Sequence, residues 1–129
     1  MKQEEKDLLI KDLCARLPYG VKVKHEAQDF PSTLEWIDVY RMSAGIKADK
    51  LGVGGNWGSI EFIQPYLRPM SSMTEEEKEE YKKLQHYLND TMLTISLLNN
   101  WLNEHHFDYC GLIEKGLALE APKDMYKED

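Results

Sequence analysis

Gln64-Pro-Tyr-Leu-Arg-Pro-Met-Ser-Ser-Met-Thr-Glu-Glu-Glu77 divides this chain into two kinds of pattern. Upstream, apolar and polar residues alternate as they do in strands, and glycines are frequent. Downstream, apolar residues recur three and four positions apart, the spacing of one helix face. Two prolines stiffen the join. At its end Thr74 stands three residues before Glu77, the pairing that forms a capping box at a helix start. The sequence therefore predicts an α+β fold in one domain, residues 1–129. It comprises a helix in 1–19, an antiparallel sheet of three or four strands in 20–64, a Pro-rich connector in 65–73, helices in 74–121 and a frayed tail in 122–129.

Working back toward the N-terminus, Leu9, Leu13 and Leu17 with Ile10 and Cys14 mark the apolar side of a helix over 3–17, ended by Pro18 and Gly20. On this reading Cys14 belongs to the core. Val21, Val23 and His25 alternate with Lys22, Lys24 and Glu26 as a half-buried strand. After a turn around Pro31, Leu34 to Met42 reads as a β-rich strand with large residues on both faces. Ile46 to Leu51 is a candidate edge strand, Gly52 to Gly58 a turn, and Ser59 to Gln64 the last strand. Such short connections favour an antiparallel meander.

Working forward, Tyr81, Leu84 and Leu88 line the helix that opens at Thr74, with Met73 placed to pack against it. Asn89-Asp90 breaks it, and Asp90 is a candidate cap for the next helix. There Met92, Ile95, Leu98 and Leu102 form the expected buried stripe, flanked by Leu97 and Trp101. Asp108 is placed to cap a short helix ending at Gly116, after which Leu117 to Ala121 packs or extends.

With 129 residues there is room for one core and no second domain. A hydrophobic share of 42% beside 30% charged residues is that of a globular chain rather than a disordered one. No apolar run approaches the ~20 residues of a membrane helix. The acidic start, Met1 to Asp7, lacks the apolar region of a secretory signal, so the expected location is cytoplasmic, with Cys14 and Cys110 reduced. A net charge of −7 disfavours direct nucleic-acid binding, since phosphate neutralisation supplies most of that affinity. It leaves open an acidic inhibitor that imitates nucleic acid.

Each residue able to carry chemistry also has a plainer role. His105, His106, Asp108 and Cys110 are four zinc-type donors within six positions, and a metal-assisted hydrolase built on them is the alternative functional reading. Their spacing is poor, because consecutive helical residues point about 100° apart. The plainer roles are histidines at a helix C-terminus and a capping Asp108. Gly52-Val-Gly-Gly-Asn-Trp-Gly58 lacks the lysine, hydroxyl and following helix of a phosphate loop. Trp57, expected at its tip, is a candidate contact residue. Glu35, Asp38, Glu61, Glu104 and Asp108 are carboxylates without a sequence-assigned partner, Asp38 standing among large apolar neighbours. Arg68, between Leu67 and Pro69, is placed either to grip a partner carboxylate or to tie the sheet to the helices. Tyr66 and Tyr109 complete the candidate partner-binding set. No cofactor is expected.

The blocks "LCARLPYGV", "PYLRPMSSMTEEE" and "WLNEHHFDYCGLIEKGLALEAP" resemble a family of short uncharacterised proteins encoded by gut anaerobes and their phages or other mobile elements. The likeness covers the first helix and roughly the second half of the chain. It implies cytoplasmic expression and an accessory role, and it transfers no functional residue. The leading expectation is a non-enzymatic interaction or accessory module with an unknown protein partner.

Overall fold

The computed structural model describes residues 1–49, 52, 54–86 and 91–126. In chain order these form α1 (Gln3–Arg16), β1 (Lys22–His25), β2 (Ser32–Asp38), β3 (Ser43–Ala48), β4 (Asn56–Ser59), β5 (Ile63–Leu67), α2 (Glu75–His86), α3 (Thr91–Glu104) and β6 (Leu119–Glu120). The sheet order is β4-β3-β2-β1-β5-β6. All pairs are antiparallel except β5 with β6, which is parallel. The α+β class holds. The expected three or four antiparallel strands are in fact six in a mixed sheet.

α1 forms for the reasons its spacing suggests and ends at a 3-10 turn, where Gly20 adopts φ 67. Its Leu9, Ile10 and Leu13 pack on Val21, Val23, Leu34, Ala44, Ile46, Ile63 and Leu67 from one sheet face, with Leu112, Leu117 and Ala118 closing the side. Cys14 falls outside this contact and is exposed, contrary to its core assignment; both cysteines are free. The buried positions on α1 that the pattern missed, Asp12 and Arg16, are polar.

The dividing segment is only half connector. Pro65, Tyr66 and Leu67 belong to β5, an interior strand. A proline fits there because Glu26 N donates to Phe62 O, which makes alternate pairs of the β1–β5 ladder hydrogen-bonded. Val23 opposite Pro65 is then a pair that exchanges no such bond. The true connector begins at Arg68. The last strand before it starts late, because Ile60–Phe62 is a 3-10 turn.

Three other strand expectations shift. β2 stops at Asp38, and the turn to β3 contains Met42 at φ 51. β3 runs from Ser43 to Ala48 and is interior rather than an edge. Asn56 to Gly58, expected within a turn, join Ser59, expected to open the last strand, in pairing with β3 as the edge strand β4. Leu51 lies outside the described residues, as do Leu88 and the Asn89-Asp90 break.

The capping box forms as read: Glu77 N donates to Thr74 Oγ1 at 3.2 Å and Thr74 N to Glu77 Oε1 at 2.9 Å. α2 and α3 then make a hairpin with a small cluster of its own. Trp101, Leu102 and Phe107 are its centre, with Met70, Met73, Tyr81, Leu84 and Tyr109 around them. The expected α3 stripe is buried only at its C-terminal end. Met92, Ile95 and Leu97 are exposed instead. No short helix follows Asp108. Its carboxylate accepts from Leu112 N and Ile113 N, capping a run of turns. The tail is not frayed through 126, since Tyr126 is held against the sheet. No described helix is long and apolar enough to cross a membrane.

Candidate functional site: the outer β2–β3–β4 corner

Trp36 of β2, Gly45 of β3 and Trp57 of β4 are direct cross-strand partners, so they form one row on the sheet face away from α1. A bulge between Leu34 and Trp36 supplies the extra residue that turns Trp36 outward. Its indole lies flat on Gly45: a Cβ built there would meet Trp36 Nε1 at 2.0 Å, so only glycine fits. The plain role of that contact is shielding of a strand glycine by an aromatic neighbour. Yet Trp36 remains 42% exposed and Trp57 71%, and Tyr40 at the adjoining turn reaches 95%. Phe62 lies on the other side of β4, its ring 3.8 Å from where a Gly58 Cβ would stand. Among the described residues β4 is thus the edge strand of the sheet, with Trp57 on its outer side and Phe62, from the following 3-10 turn, against the other, and its Trp57 N–H donates to Asn56 Oδ1 at 2.8 Å.

The remainder of the outer face is polar. Lys22 Nζ donates to Thr33 Oγ1 and pairs with Asp49 at 3.0 Å, while Thr33 Oγ1 donates to Asp49. Lys47 is exposed two residues from Gly45.

The other candidates from the sequence do not gather. Arg68 turns inward. Its guanidinium makes a bidentate pair with Glu77 (2.7 and 2.8 Å), donates to Ser72 O and covers the Phe107 ring at 4.2 Å. This pairing, with the Thr74 N–H, holds the Glu77 carboxyl down at about 2, against the opposing effect of burial. Arg68 N and O also bond to His106 O and Asp108 N, so the residue ties β5 to α2 and to the segment after α3. Tyr109 donates to Asn103 and lies under Arg16. Tyr66 gives its carbonyl to Tyr126. Of the four expected contact residues, Trp57 alone is freely presented, and it is on a strand rather than a loop tip.

The four zinc-type donors are turned to separate tasks. His105 Nδ1 bonds to Trp101 O, and its ring lies tilted against Trp101 with centroids 4.3 Å apart. His106, at φ 63, stacks on Tyr126 with ring centroids 3.8 Å apart. Asp108 caps backbone N–H groups, and burial pushes the Cys110 thiol up. Among the described residues no three His, Cys, Asp or Glu side chains are placed to hold an ion together. The carboxylates are equally dispersed. Asp38 accepts from Arg41 N at its turn, Glu61 pairs with Lys6, Glu35 is exposed, and Glu104 stands at the rim of a broad groove of about 900 Å3 with Glu76, Glu120 and His105.

Sequence reasoning missed Trp36 as a companion of Trp57, because pairing across Gly45 depends on register and a bulge. It also missed Asp12, Arg16 and Tyr126, which carry the polar interior. Comparisons with protein-family models, curated proteins and solved structures return no match.

Proposed function

We propose that the chain is a non-enzymatic interaction module, accessory to a protein partner, that binds through the outer β2–β3–β4 corner. The observation that carries this reading is Trp57, 71% exposed on a strand that is the sheet's edge among the described residues, in one row with Trp36. Tryptophan anchors interfaces because it excludes much water at small entropic cost. The open edge offers main-chain pairing to an extended partner segment, and the flanking rings offer side-chain contact, which together make strand addition. The dispersal of carboxylates and histidines supports binding over catalysis, since acid–base work needs such groups within hydrogen-bond reach of one reacting centre.

The test is capture from native lysate by immobilised wild-type chain and by Trp57→Ala. Trp57 touches little of the core, so the variant is expected to unfold within about 0.5 kcal/mol of wild type. A partner retained by wild type and lost by Trp57→Ala supports the reading. Equal retention by both, or none by either, overturns it.

A further inference from the structure

β4 is the sheet's edge among the described residues, and the alternation along β3 fixes which of its backbone groups face outward. Ile60 N donates to Met42 O at 2.9 Å. Ile46 O stands so near the start of β4 that a Cβ on Gly55 would meet it at 2.5 Å. Backbone groups of alternate residues point to the same side of a strand, so Met42, Ala44 and Ile46 all turn theirs toward β4. Ala44–Gly58 and Ile46–Asn56 are then the hydrogen-bonded pairs, whereas Gly45–Trp57 and Ser43–Ser59 exchange no such bond. Trp57 and Ser59 therefore direct their N–H and C=O groups away from the sheet, where an added strand would meet them. One of these groups is already taken. Trp57 N donates to Oδ1 of the preceding Asn56 at 2.8 Å. The β3–β4 ladder makes no use of that contact, and asparagine is a residue that strands ordinarily avoid.

We propose that Asn56 guards this edge: its carboxamide oxygen holds the place at Trp57 N–H that a carbonyl of an added strand takes, so a partner pairs there only by displacing it. The inference rests on the strand-addition reading of the corner and names the residue that regulates it. An uncapped edge N–H beside an exposed tryptophan is equally a template for a second copy of the chain. Asn56 withdraws that donor without withdrawing the edge. Its contact is local, and the residue is only half-buried, so the bond can be exchanged for another of similar strength. A carbonyl that arrives alone gains little by the exchange, because one hydrogen bond replaces another. A segment that also covers Trp57 and Trp36 gains the burial of both rings. The guard thus selects for partners whose side chains engage the aromatic row.

Amide exchange and sedimentation velocity on the intact chain read the guard without a partner. Asn56→Ala should keep the far-ultraviolet spectrum and exchange the Trp57 amide about 3- to 10-fold faster, as loss of one hydrogen bond gives. It should also dimerise as concentration rises to about 200 µM, where wild type stays monomeric. Asn56→Asp keeps an acceptor in the same place and should leave Trp57 exchange slow. Ser59→Pro closes the edge by other means, since Ser59 has φ −59, which suits proline, and its N–H faces outward. Added to Asn56→Ala, it should restore the monomer. A Trp57 amide no faster in Asn56→Ala, or equally fast in Asn56→Asp, overturns the proposal. So does an Asn56→Ala chain that stays monomeric, or a dimer that survives Ser59→Pro. Capture from lysate plays no part in these readouts, so the guard and the proposed function can fail separately.

Discussion

Arg16 is wholly enclosed, although an arginine in the last turn of a surface helix ordinarily reaches water. It is held by a bidentate contact with Asp12 (2.8 and 3.0 Å), by Phe107 O at 2.7 Å and by the face of Tyr109. Burial raises the Asp12 carboxyl despite that partner, which shows how much desolvation the pair carries. Arg16 in turn bears on His106, which burial first, and then the positive charges of Arg16, His105, Arg68 and Lys22, bring down to about 4. A histidine whose folded value is depressed contributes stability above its ordinary 6.5, and that contribution is lost as pH falls from there through 4. The size is roughly 2–3 kcal/mol, at about 1.4 per unit. His106→Asn keeps a residue type that tolerates the left-handed backbone at φ 63 while removing the titrating ring. Urea unfolding at stepped pH should show wild type losing stability between 6.5 and 4 by that amount more than the variant does. Parallel profiles would refute the assignment. None of this could be read from spacing, because Arg16 lies at the edge of the amphipathic pattern and its acceptor, Phe107 O, is 91 residues away.

At the scale of the elements, what was legible was what local chemistry decides. α1, β1 and the start of α2 follow from periodicity, from Gly20 and from the Thr74–Glu77 box, all of which act within a few residues. The box has an additional partner in Arg68, which grips Glu77 from the residue just after β5, so the same carboxylate caps the helix and anchors the end of the strand. Thr74→Ala removes one capping acceptor and is expected to cost about 1 kcal/mol. The cost should appear as faster amide exchange in the first turn of α2, with α1 unchanged. A loss near zero would mean that the Arg68–Glu77 pair alone fixes the helix start. What was not legible depended on neighbours. Pro65 reads as a breaker until the ladder shows it in a pair that asks no N–H of it. Trp57 reads as a loop residue until β3 pairs with it. α3 carries apolar residues around too much of its circumference for spacing to choose the buried side. Of the candidate site, Trp57 was visible as a residue type, whereas its partner Trp36 required the register.

Across the whole molecule, the C-terminal segment meets the middle of the sheet at Tyr126. The β1–β5 ladder would next close between Lys22 and Tyr66, and the Tyr126 hydroxyl stands in that rung. It accepts from Lys22 N at 2.8 Å and donates to Tyr66 O at 2.7 Å. The ring is clamped by His106, itself fixed by the backbone bond from Arg68 N to its carbonyl. Burial accordingly pushes the phenol well above its ordinary value. A segment of turns with little apolar content thus becomes structural because it satisfies two backbone groups that the sheet leaves open. Tyr126→Phe keeps the stacking surface and removes only the hydroxyl, stranding Lys22 N–H and Tyr66 C=O. The expected loss is about 1–3 kcal/mol, the usual result when buried polar groups lose a partner. Amide exchange at Lys22 should accelerate while that at Lys24, one rung further in, stays protected. If the strands close directly on each other instead, the loss falls below about 0.5 kcal/mol and Lys22 stays protected, and the tail would then be a passenger rather than a rung of the sheet.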